Sequence, residues 1–274
     1  MNVSTAFKRI ITLKELSPDQ QHYIELLQVL VHRNLKVRYR GSFLGIYWSL
    51  LNPLTMTGLY ATIFGATFAT YYENSVANYI LAALTGLIVV NFFSASTSQA
   101  LSSVVGNGAL LNKIRLPISV FPISMVTANV FQFLMAAFPL LAIVTLFKTF
   151  SLVNIIAIFL PFLALIFLCI GVGLFVSALY VFFRDLPYFY ELVVFVLWIS
   201  SPVFYPADIV SPKIKPFLSI NPLSQIIESL RQITLSGNSP DLSLIVSALI
   251  SGMLFSVLGW IFFKSMRSQF MDLL

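Results

Sequence analysis

Charged residues are scarce in this sequence. Asp, Glu, Lys and Arg together make up 9% of the 274 residues, whereas apolar residues make up 58%. Soluble domains carry about 25% charged residues, so the composition excludes a globule that faces water on all sides. The mean hydropathy of +0.92 and the 26 Phe, 11 Tyr and 3 Trp residues are typical of helices that meet lipid. The sequence therefore predicts an integral membrane protein.

Cysteine and histidine are also rare, and this argues against most enzyme classes. The single cysteine, Cys169, lies in an apolar stretch and has no partner for an intrachain disulfide. Only His22 and His32 are present, with no clustered Cys and His for a metal. The sequence has neither an H-E-x-x-H motif nor a phosphate loop of the Walker type. We expect no catalytic residue, no metal site and no cofactor in this chain.

Long segments without charge predict the membrane spans. No charged residue occurs in 41–72, 74–112, 116–147, 149–183 or 242–263, and 186–207 contains only Glu191. A spanning helix needs about 20 apolar residues. We therefore predict an all-α integral membrane fold with six spans, at about 44–71, 79–101, 118–147, 152–182, 188–206 and 242–263. The predicted parts are a cytoplasmic N-terminus (1–43), a six-helix transmembrane domain (44–263) and a cytoplasmic tail (264–274).

The distribution of basic residues predicts the orientation. With the N-terminus inside, 12 Lys and Arg residues fall on the cytoplasmic side and 4 on the outer side. This bias is the positive-inside pattern. We therefore expect a protein of the cytoplasmic (inner) membrane with both termini in the cytoplasm. The net charge of +6 is then a topology signal, and we expect no nucleic-acid partner.

Two segments outside the spans are predicted to lie at the membrane surface. Residues 22–38 carry Ile24, Leu27, Val31 and Leu35 at helical spacing, which indicates an amphipathic helix in the cytoplasmic interface. Residues 206–241 are rich in proline, with apolar stretches too short to span. We expect short re-entrant helices there, between the fifth and sixth spans.

Aromatic residues form two stripes within the predicted spans. Tyr60, Phe64 and Phe68 recur every fourth residue, and a second stripe in the fifth span keeps one helical face. The second stripe consists of Tyr188, Glu191, Phe195, Trp198, Pro202 and Tyr205. These rings could line a passage and stack on sugar rings, or they could simply pack against lipid and other helices. The uncharged polar residues Asn52, Asn91, Asn129 and Gln132 are expected to hydrogen-bond between helices, with substrate contact as the alternative.

Four segments together resemble the permease subunits of ABC exporters of bacterial surface polysaccharides. They are RNLKVRYRGSFLGIYWSLLNPL (33–54), GNGALLNKIRLPISVFP (106–122), SPVFYP (201–206) and NPLSQIIESLR (221–231). The resemblance extends over nearly the whole chain in the same order. It implies an assembly of two permease copies with two separate ATPase subunits, so that ATP and Mg²⁺ are bound by the partner.

The resemblance also implies roles for particular residues. Segment 107–115 would be the helix that couples to the ATPase, and the turn at Arg184 and Asp185 would be a second contact. The coupling residues are Asn107, Leu110, Leu111, Lys113, Arg115, Arg184 and Asp185. The N-terminal helix would contact the ATPase and lipid headgroups through Arg33, Lys36, Arg38 and Arg40. The channel-lining candidates are Tyr60, Phe64, Phe68, Glu191, Phe195 and Trp198.

The implied function is ATP-driven export of a lipid-linked polysaccharide of the O-antigen, capsule or teichoic acid type across the cytoplasmic membrane. The substrate would be carried on an undecaprenyl-type lipid, with Arg38 and Arg40 attracting its pyrophosphate. One alternative is an ABC permease for a smaller lipid or drug. Another is a self-contained channel or secondary transporter, which would need no ATPase.

Overall fold

The computed structural model describes residues 17–114, 116–213, 221–236 and 241–273, and within them the chain is helical with no β-strand. The helices are α1 (Pro18–Arg38), α2 (Trp48–Phe68), α3 (Val76–Ser103), α4 (Gly108–Leu111), α5 (Val120–Gln132), α6 (Phe138–Thr149), α7 (Leu152–Ala157), α8 (Phe159–Phe182), α9 (Leu186–Ser200), α10 (Pro222–Leu235), α11 (Leu242–Met266) and α12 (Phe270–Leu273). A π-helical turn at Phe133–Ala137 joins α5 to α6. The prediction of an all-α fold is confirmed.

Four helical stretches in the described residues are long and apolar enough to cross a membrane. They are Val76–Ser103, Val120–Thr149, Leu152–Phe182 and Leu242–Gln269, at the positions of the second, third, fourth and sixth predicted spans. At 1.5 Å per residue, the 15-residue helix α9 is about 22 Å long. It is thus shorter than a hydrocarbon core of about 30 Å. The chain is a multi-pass membrane protein, and the count of six spans stays a prediction.

Helix α3 lies at the centre of the bundle. It packs against α2, α5, α8, α9 and α10, and every residue from Ala82 to Val90 is buried. Helices α2 and α9 are the opposite case, because α2 buries only Pro53, Thr57 and Gly65 and α9 buries only Tyr190. Much of their remaining surface is formed by large apolar side chains, which suits contact with lipid or with another membrane helix.

Helices α8 and α11 approach each other through glycine. A Cβ atom added to Gly259 would lie 2.1 Å from the carbonyl oxygen of Gly171, and one added to Gly171 would lie 2.2 Å from that of Phe255. A third contact of this kind joins Gly252 to the Ala164 carbonyl at 2.5 Å. Small residues allow helix backbones to come this close in a membrane, where packing replaces the hydrophobic effect as the driving force.

The N-terminal helix α1 begins four residues before the predicted 22–38 helix and packs against α5. Pro18 occupies its first turn, where the missing N–H costs nothing, and the Ser17 N–H donates to Gln20 Oε1 at 3.2 Å. Leu30, Val31 and Leu35 are buried. The side predicted to face lipid is therefore used in part to attach the helix to the bundle.

The fifth predicted span is shorter than expected because of Pro202. A proline disfavours helical dihedrals at the residue before it, and Ser201 is extended, with φ −82° and ψ 139°. Pro202 and Tyr205 therefore lie outside α9, so the prediction that they share one helical face with Glu191 is wrong. The helix expected within 107–115 is likewise shorter, Gly108–Leu111, and Arg115 lies outside the described residues.

Helix α10 is the structured part of the segment between α9 and α11. Asn221 caps it by accepting a hydrogen bond from the Leu223 N–H at 3.0 Å, and Pro222 follows in the first turn. The helix packs against α3, α6, α8 and α11. This position fits the prediction of a short helix there. Residues 214–220 and 237–240, which that prediction also covers, are outside the described ranges.

The glycine contacts give a direct test of the bundle. We expect Gly259→Ala to destabilise the protein, because its methyl group cannot be accommodated without separating α8 from α11, and overpacking typically costs about 1–3 kcal/mol. Gly58→Ala in α2 is the matched control, since nothing lies within 4 Å of its added Cβ. Thermal unfolding of the detergent-purified variants measures the difference, and equal unfolding temperatures would contradict the packing described.

Candidate functional site

The two aromatic stripes predicted from the sequence meet in the structure. On α2, the rings of Tyr60 and Phe64 have centroids 5.9 Å apart, and those of Phe64 and Phe68 are 5.7 Å apart. Phe204 stacks on Tyr60 at 3.6 Å and meets Trp198 edge-on at 5.1 Å. Trp198 is in turn 6.1 Å from Phe195. We call the six residues Phe68, Phe64, Tyr60, Phe204, Trp198 and Phe195 the aromatic ladder.

Phe204 is the member of the ladder that the sequence analysis missed. It follows the end of α9 in segment 201–206, which bends and forms no helix, so it belongs to no helical period. The signal that could have found it is its place in SPVFYP, between two prolines that each disfavour helical dihedrals at the residue before them. The Tyr79 hydroxyl donates to the Phe204 carbonyl at 3.0 Å, which ties this segment to α3.

A cleft of about 320 Å³ lies between α3 and α9, and we call it the α3–α9 cleft. Its α3 wall carries Val90, Asn91, Ser94 and Ser98, and its α9 wall carries Glu191, Val194, Phe195 and Trp198. The predicted lining residues of the fifth span thus come together around one cavity. Those of the first span, Tyr60, Phe64 and Phe68, are joined to it only through Phe204.

Arg38 is inserted into a cluster of amide side chains. Its Nη1 donates to Asn129 Oδ1 at 2.9 Å and to Gln132 Oε1 at 2.7 Å, and its Nη2 donates to Gln99 Oε1. Asn129 also donates to Gln99 Oε1 at 3.0 Å. The expectation that Asn129 and Gln132 bond between helices is confirmed, and their partner is this arginine.

The Tyr39 hydroxyl completes this group by donating to Gln132 Oε1. Burial raises the pKa of the Tyr39 phenol above its usual value, which keeps it protonated as a donor. We call Arg38, Tyr39, Gln99, Asn129 and Gln132 the guanidinium cluster. Its acceptors are neutral amides, so hydrogen bonding satisfies the guanidinium while its positive charge remains uncompensated.

A second cavity, of about 680 Å³, opens beside this cluster, and we call it the basic pocket. It is bordered by Arg33 and Arg38 from α1 and by polar residues of α3 and the following turn, among them Gln99, Ser102 and Asn107. No acidic residue is among the described residues that line it. Lys36 and Arg40 are exposed. Lys36 borders a separate hollow with Tyr39 and Phe43.

The Arg33 side chain connects α1 to the loop before α4. Its Nη2 donates to Asn107 Oδ1 at 3.1 Å, and Asn107 Nδ2 donates to the Ser103 carbonyl at 2.7 Å. Asn34 adds a hydrogen bond to Ser124 in α5 at 3.2 Å. Two of the basic residues predicted to meet lipid headgroups, Arg33 and Arg38, therefore contact the bundle as well.

The predicted coupling residues lie at the same end of the bundle as α1. Leu111 is buried in an apolar cluster with Leu30 of α1, Val181 near the end of α8 and Phe270 of α12. Leu110 is half-buried, whereas Lys113 is exposed. Together these contacts place α4 over the point where α1, α8 and the C-terminal segment meet.

The second predicted contact, the turn at Arg184 and Asp185, is exposed at this end. Arg184 Nη2 donates to the Leu273 carbonyl at 3.0 Å, and its guanidinium lies 5.8 Å from the Tyr180 ring centroid. This contact of Arg184 with the C-terminal residues was not predicted from the sequence.

Arg231 is a further polar residue whose environment the sequence did not indicate. It lies in α10 and is only 4% exposed. Its Nε donates to the Ala82 carbonyl at 3.1 Å and its Nη2 to the Val203 carbonyl at 2.8 Å. One side chain thus joins α10 to α3 and to the segment that carries Phe204. The available signal was a single basic residue in the otherwise uncharged second half of α10.

The comparisons with known proteins identify similar chains along most of this length. Residues 25–235 match the ABC-2 type transporter family. Two proteins of Klebsiella pneumoniae, each named O-antigen export system permease protein RfbA, are 30% and 28% identical to the chain over 92% of its length and 96% of theirs. A protein of the same name from Myxococcus xanthus is 28% identical over 91% of this chain and 95% of its own.

The guanidinium cluster can be tested by a charge-conserving change. We expect Arg38→Lys to loosen α1 from α5, because the single ammonium nitrogen cannot occupy the positions of both Nη1 and Nη2, from which the guanidinium reaches its three acceptors. Each lost charged hydrogen bond is worth about 1.5–3 kcal/mol. Hydrogen exchange of the α1 amides should accelerate in this variant and not in Arg40→Lys, whose arginine is exposed. Equal exchange in both variants would contradict the role of Arg38.

Proposed function

The chain belongs to the ABC-2 type transporter family, and from this premise we propose that it is the permease subunit of an ATP-driven exporter of a bacterial surface polysaccharide. One observation carries the proposal. The similarity to O-antigen export permeases runs through 92% of this chain and 96% of the relatives. It therefore concerns the whole permease and not one shared segment.

The proposal includes a separate ATPase partner. The sequence has no phosphate loop, so ATP and Mg²⁺ belong to that partner, with two ATPase copies serving two permease copies. The α1 end of the bundle faces the cytoplasm of the inner membrane, as the basic residues indicate. Helices α2 and α9 complete six membrane crossings within the dimer, and α10 shapes the outer end as a re-entrant helix.

The basic pocket is the proposed binding place for the diphosphate that links the glycan to its lipid carrier. Two arginines border it and no acidic residue among the described ones does, so it attracts an anion. This assigns the role to Arg33 and Arg38, in place of the pair Arg38 and Arg40 suggested by the sequence. The exposed Lys36 and Arg40 are left to meet lipid headgroups.

The aromatic ladder is the proposed wall of the path taken by the glycan. Aromatic faces hold sugar rings by dispersion without fixed hydrogen bonds, so a chain of sugars can advance from one ring to the next. Phe195 is 54% exposed and Phe64 is 36% exposed, which leaves surface for such contacts. Through Phe204, the ladder connects α9 to α2. Both of these helices bury few of their residues.

Coupling to ATP follows from the contacts of α4. A displacement of the exposed residues around Lys113 by the ATPase would also displace Leu111. Leu111 shares an apolar cluster with Leu30 of α1. The same motion acts on Asn107, the hydrogen-bond partner of Arg33. ATP binding in the partner would therefore alter the basic pocket through two connections, and hydrolysis would reset it.

Deleting this chain tests the function directly. We expect loss of the surface polymer, with recovery when the chain is restored. Restoration with Phe204→Ala should give about a tenth or less of the normal polymer, since the removed ring joins the two halves of the ladder and pairs such as this are worth about 0.5–1.5 kcal/mol each beyond burial. Phe189→Ala is the control, because Phe189 is on α9 and 63% exposed but outside the ladder.

Surface polymer is measured by blotting intact cells, with permease abundance as the reference. Normal polymer in the deletion strain would refute the function. Equal amounts of surface polymer in the two phenylalanine variants would refute the role of the ladder but not the proposed function.

The coupling surface is tested by charge reversal. We expect Lys113→Glu to reduce copurification of the ATPase about tenfold or more, a loss of about 1.4 kcal/mol in binding. Lys148→Glu is the matched control, since Lys148 is also exposed but lies in the last turn of α6. Affinity purification from native membranes in mild detergent, followed by mass spectrometry, measures the ATPase recovered. Full recovery with Lys113→Glu would show that the ATPase binds elsewhere.

A further inference from the structure

The structure points to a second level of substrate recognition, which rests on the proposed function. We infer that the α3–α9 cleft is a binding site for uncharged sugar residues of the exported glycan, and that Glu191 excludes acidic sugars from it. Three features support this assignment: the chemistry of the two walls of the cleft, the polar groups without partners on each wall, and the direction of the cleft along the helices.

The two walls of the cleft present the two kinds of surface that a sugar requires. The α3 wall offers the amide of Asn91 and the hydroxyls of Ser94 and Ser98, spaced so that they share one side of the helix. The α9 wall offers the rings of Phe195 and Trp198 beside the Glu191 carboxylate. A sugar ring has an apolar face that packs on an aromatic ring and a rim of hydroxyls that donate and accept hydrogen bonds.

Each wall also carries a polar group that lacks a partner. Asn91 Nδ2 is buried and donates to no acceptor among the described residues. Glu191 is exposed, and its carboxylate, an acceptor only, forms no hydrogen bond or ion pair within that part of the chain. In the proposed six-span arrangement it lies inside a membrane segment, where an ionisable residue is costly and is kept for function. A hydroxylated ligand between the walls supplies a donor to Glu191 and an acceptor to Asn91.

The cleft is an elongated strip along the helices. Glu191 and Trp198 are seven residues apart on α9, which corresponds to about 10 Å along the helix axis. Asn91 and Ser98 have the same separation on α3. Trp198 also contacts Phe204 of the aromatic ladder. A glycan lying in the cleft thus has the carboxylate at one end and a direct continuation onto the ladder at the other.

The carboxylate gives the cleft a charge preference. A uronic acid or a phosphodiester would place its negative charge beside Glu191, where the surrounding protein and lipid screen poorly and like charges repel strongly. No Lys or Arg lines the cleft among the described residues. Neutral sugars meet no such repulsion. Glu191 is therefore a specificity-determining residue for the glycan.

Fluorescence of Trp198 reports on this site. The chain has three Trp residues, so Trp48→Phe and Trp260→Phe together leave Trp198 as the only emitter. The permease with its ATPase, in lipid nanodiscs, is titrated with a neutral hexose oligosaccharide and with a uronic acid oligosaccharide of equal length. We expect a saturable change with the neutral oligomer and at least a tenfold weaker response with the acidic one, about what one uncompensated charge produces.

Glu191→Gln removes the charge and keeps the shape. This change should lower the half-saturating concentration of the acidic oligomer about tenfold and leave that of the neutral oligomer within about threefold. Leu192→Gln is the control, because Leu192 is adjacent in sequence, 64% exposed and outside the cleft. Coelution with the ATPase verifies that each variant is folded.

Three results would overturn the inference: no response to the neutral oligomer, equal responses to both oligomers before substitution, or no gain for the acidic oligomer in Glu191→Gln. The proposed function is judged separately, by surface polymer in the deletion strain. If the polymer is lost on deletion and the titration fails, only the assignment of the cleft is wrong.

Discussion

The burial of most of α3 is the constraint on which the other features depend. Helices α2, α5, α8, α9 and α10 pack against it, so its polar side chains must largely be satisfied inside the protein or must line cavities. Those side chains do both. Gln99 accepts from the Arg38 guanidinium together with Asn129 of α5, whereas Asn91, Ser94 and Ser98 border the α3–α9 cleft. Helix α8, which packs against α3, is itself held close to α11 by the glycine contacts.

Two arginines attach peripheral segments to this central helix, one through side-chain acceptors and the other through backbone acceptors. Arg38 joins α1 to the side chains of α3 and α5 near the basic pocket. Arg231, on α10, donates to the Ala82 carbonyl at the other end of α3 and to the Val203 carbonyl of the Phe204 segment. These hydrogen-bond acceptors are neutral in both cases, and Arg231 also lies 4.0 Å from the Glu228 carboxylate. Planar guanidinium groups suit this role, because they offer several donors in fixed directions and keep their charge.

The sequence predicted the helical fold and the positions of its elements well, because charge-free length and proline placement act locally. It also predicted the helical members of the aromatic ladder, Tyr60, Phe64 and Phe68 on α2 and Phe195 and Trp198 on α9, but wrongly extended the second stripe to Pro202 and Tyr205. It could not show that Phe204 joins those stripes, since this depends on how residues 201–206 cross between helices. For the same reason Arg38 was expected at lipid headgroups, whereas its amide partners come from residues 61 to 94 positions away. The orientation, the dimer and the coupling roles stay predictions.

Transport by the purified complex tests the central claim most directly. The permease and its ATPase are reconstituted in liposomes with a lipid-linked oligosaccharide, and the glycan that becomes protected from an added glycosidase is followed with time. We predict protection that requires ATP with Mg²⁺ and stops when the ATPase is inactive. Protection that proceeds without nucleotide, or that follows an imposed ion gradient, would instead identify a channel or a secondary transporter and contradict the account.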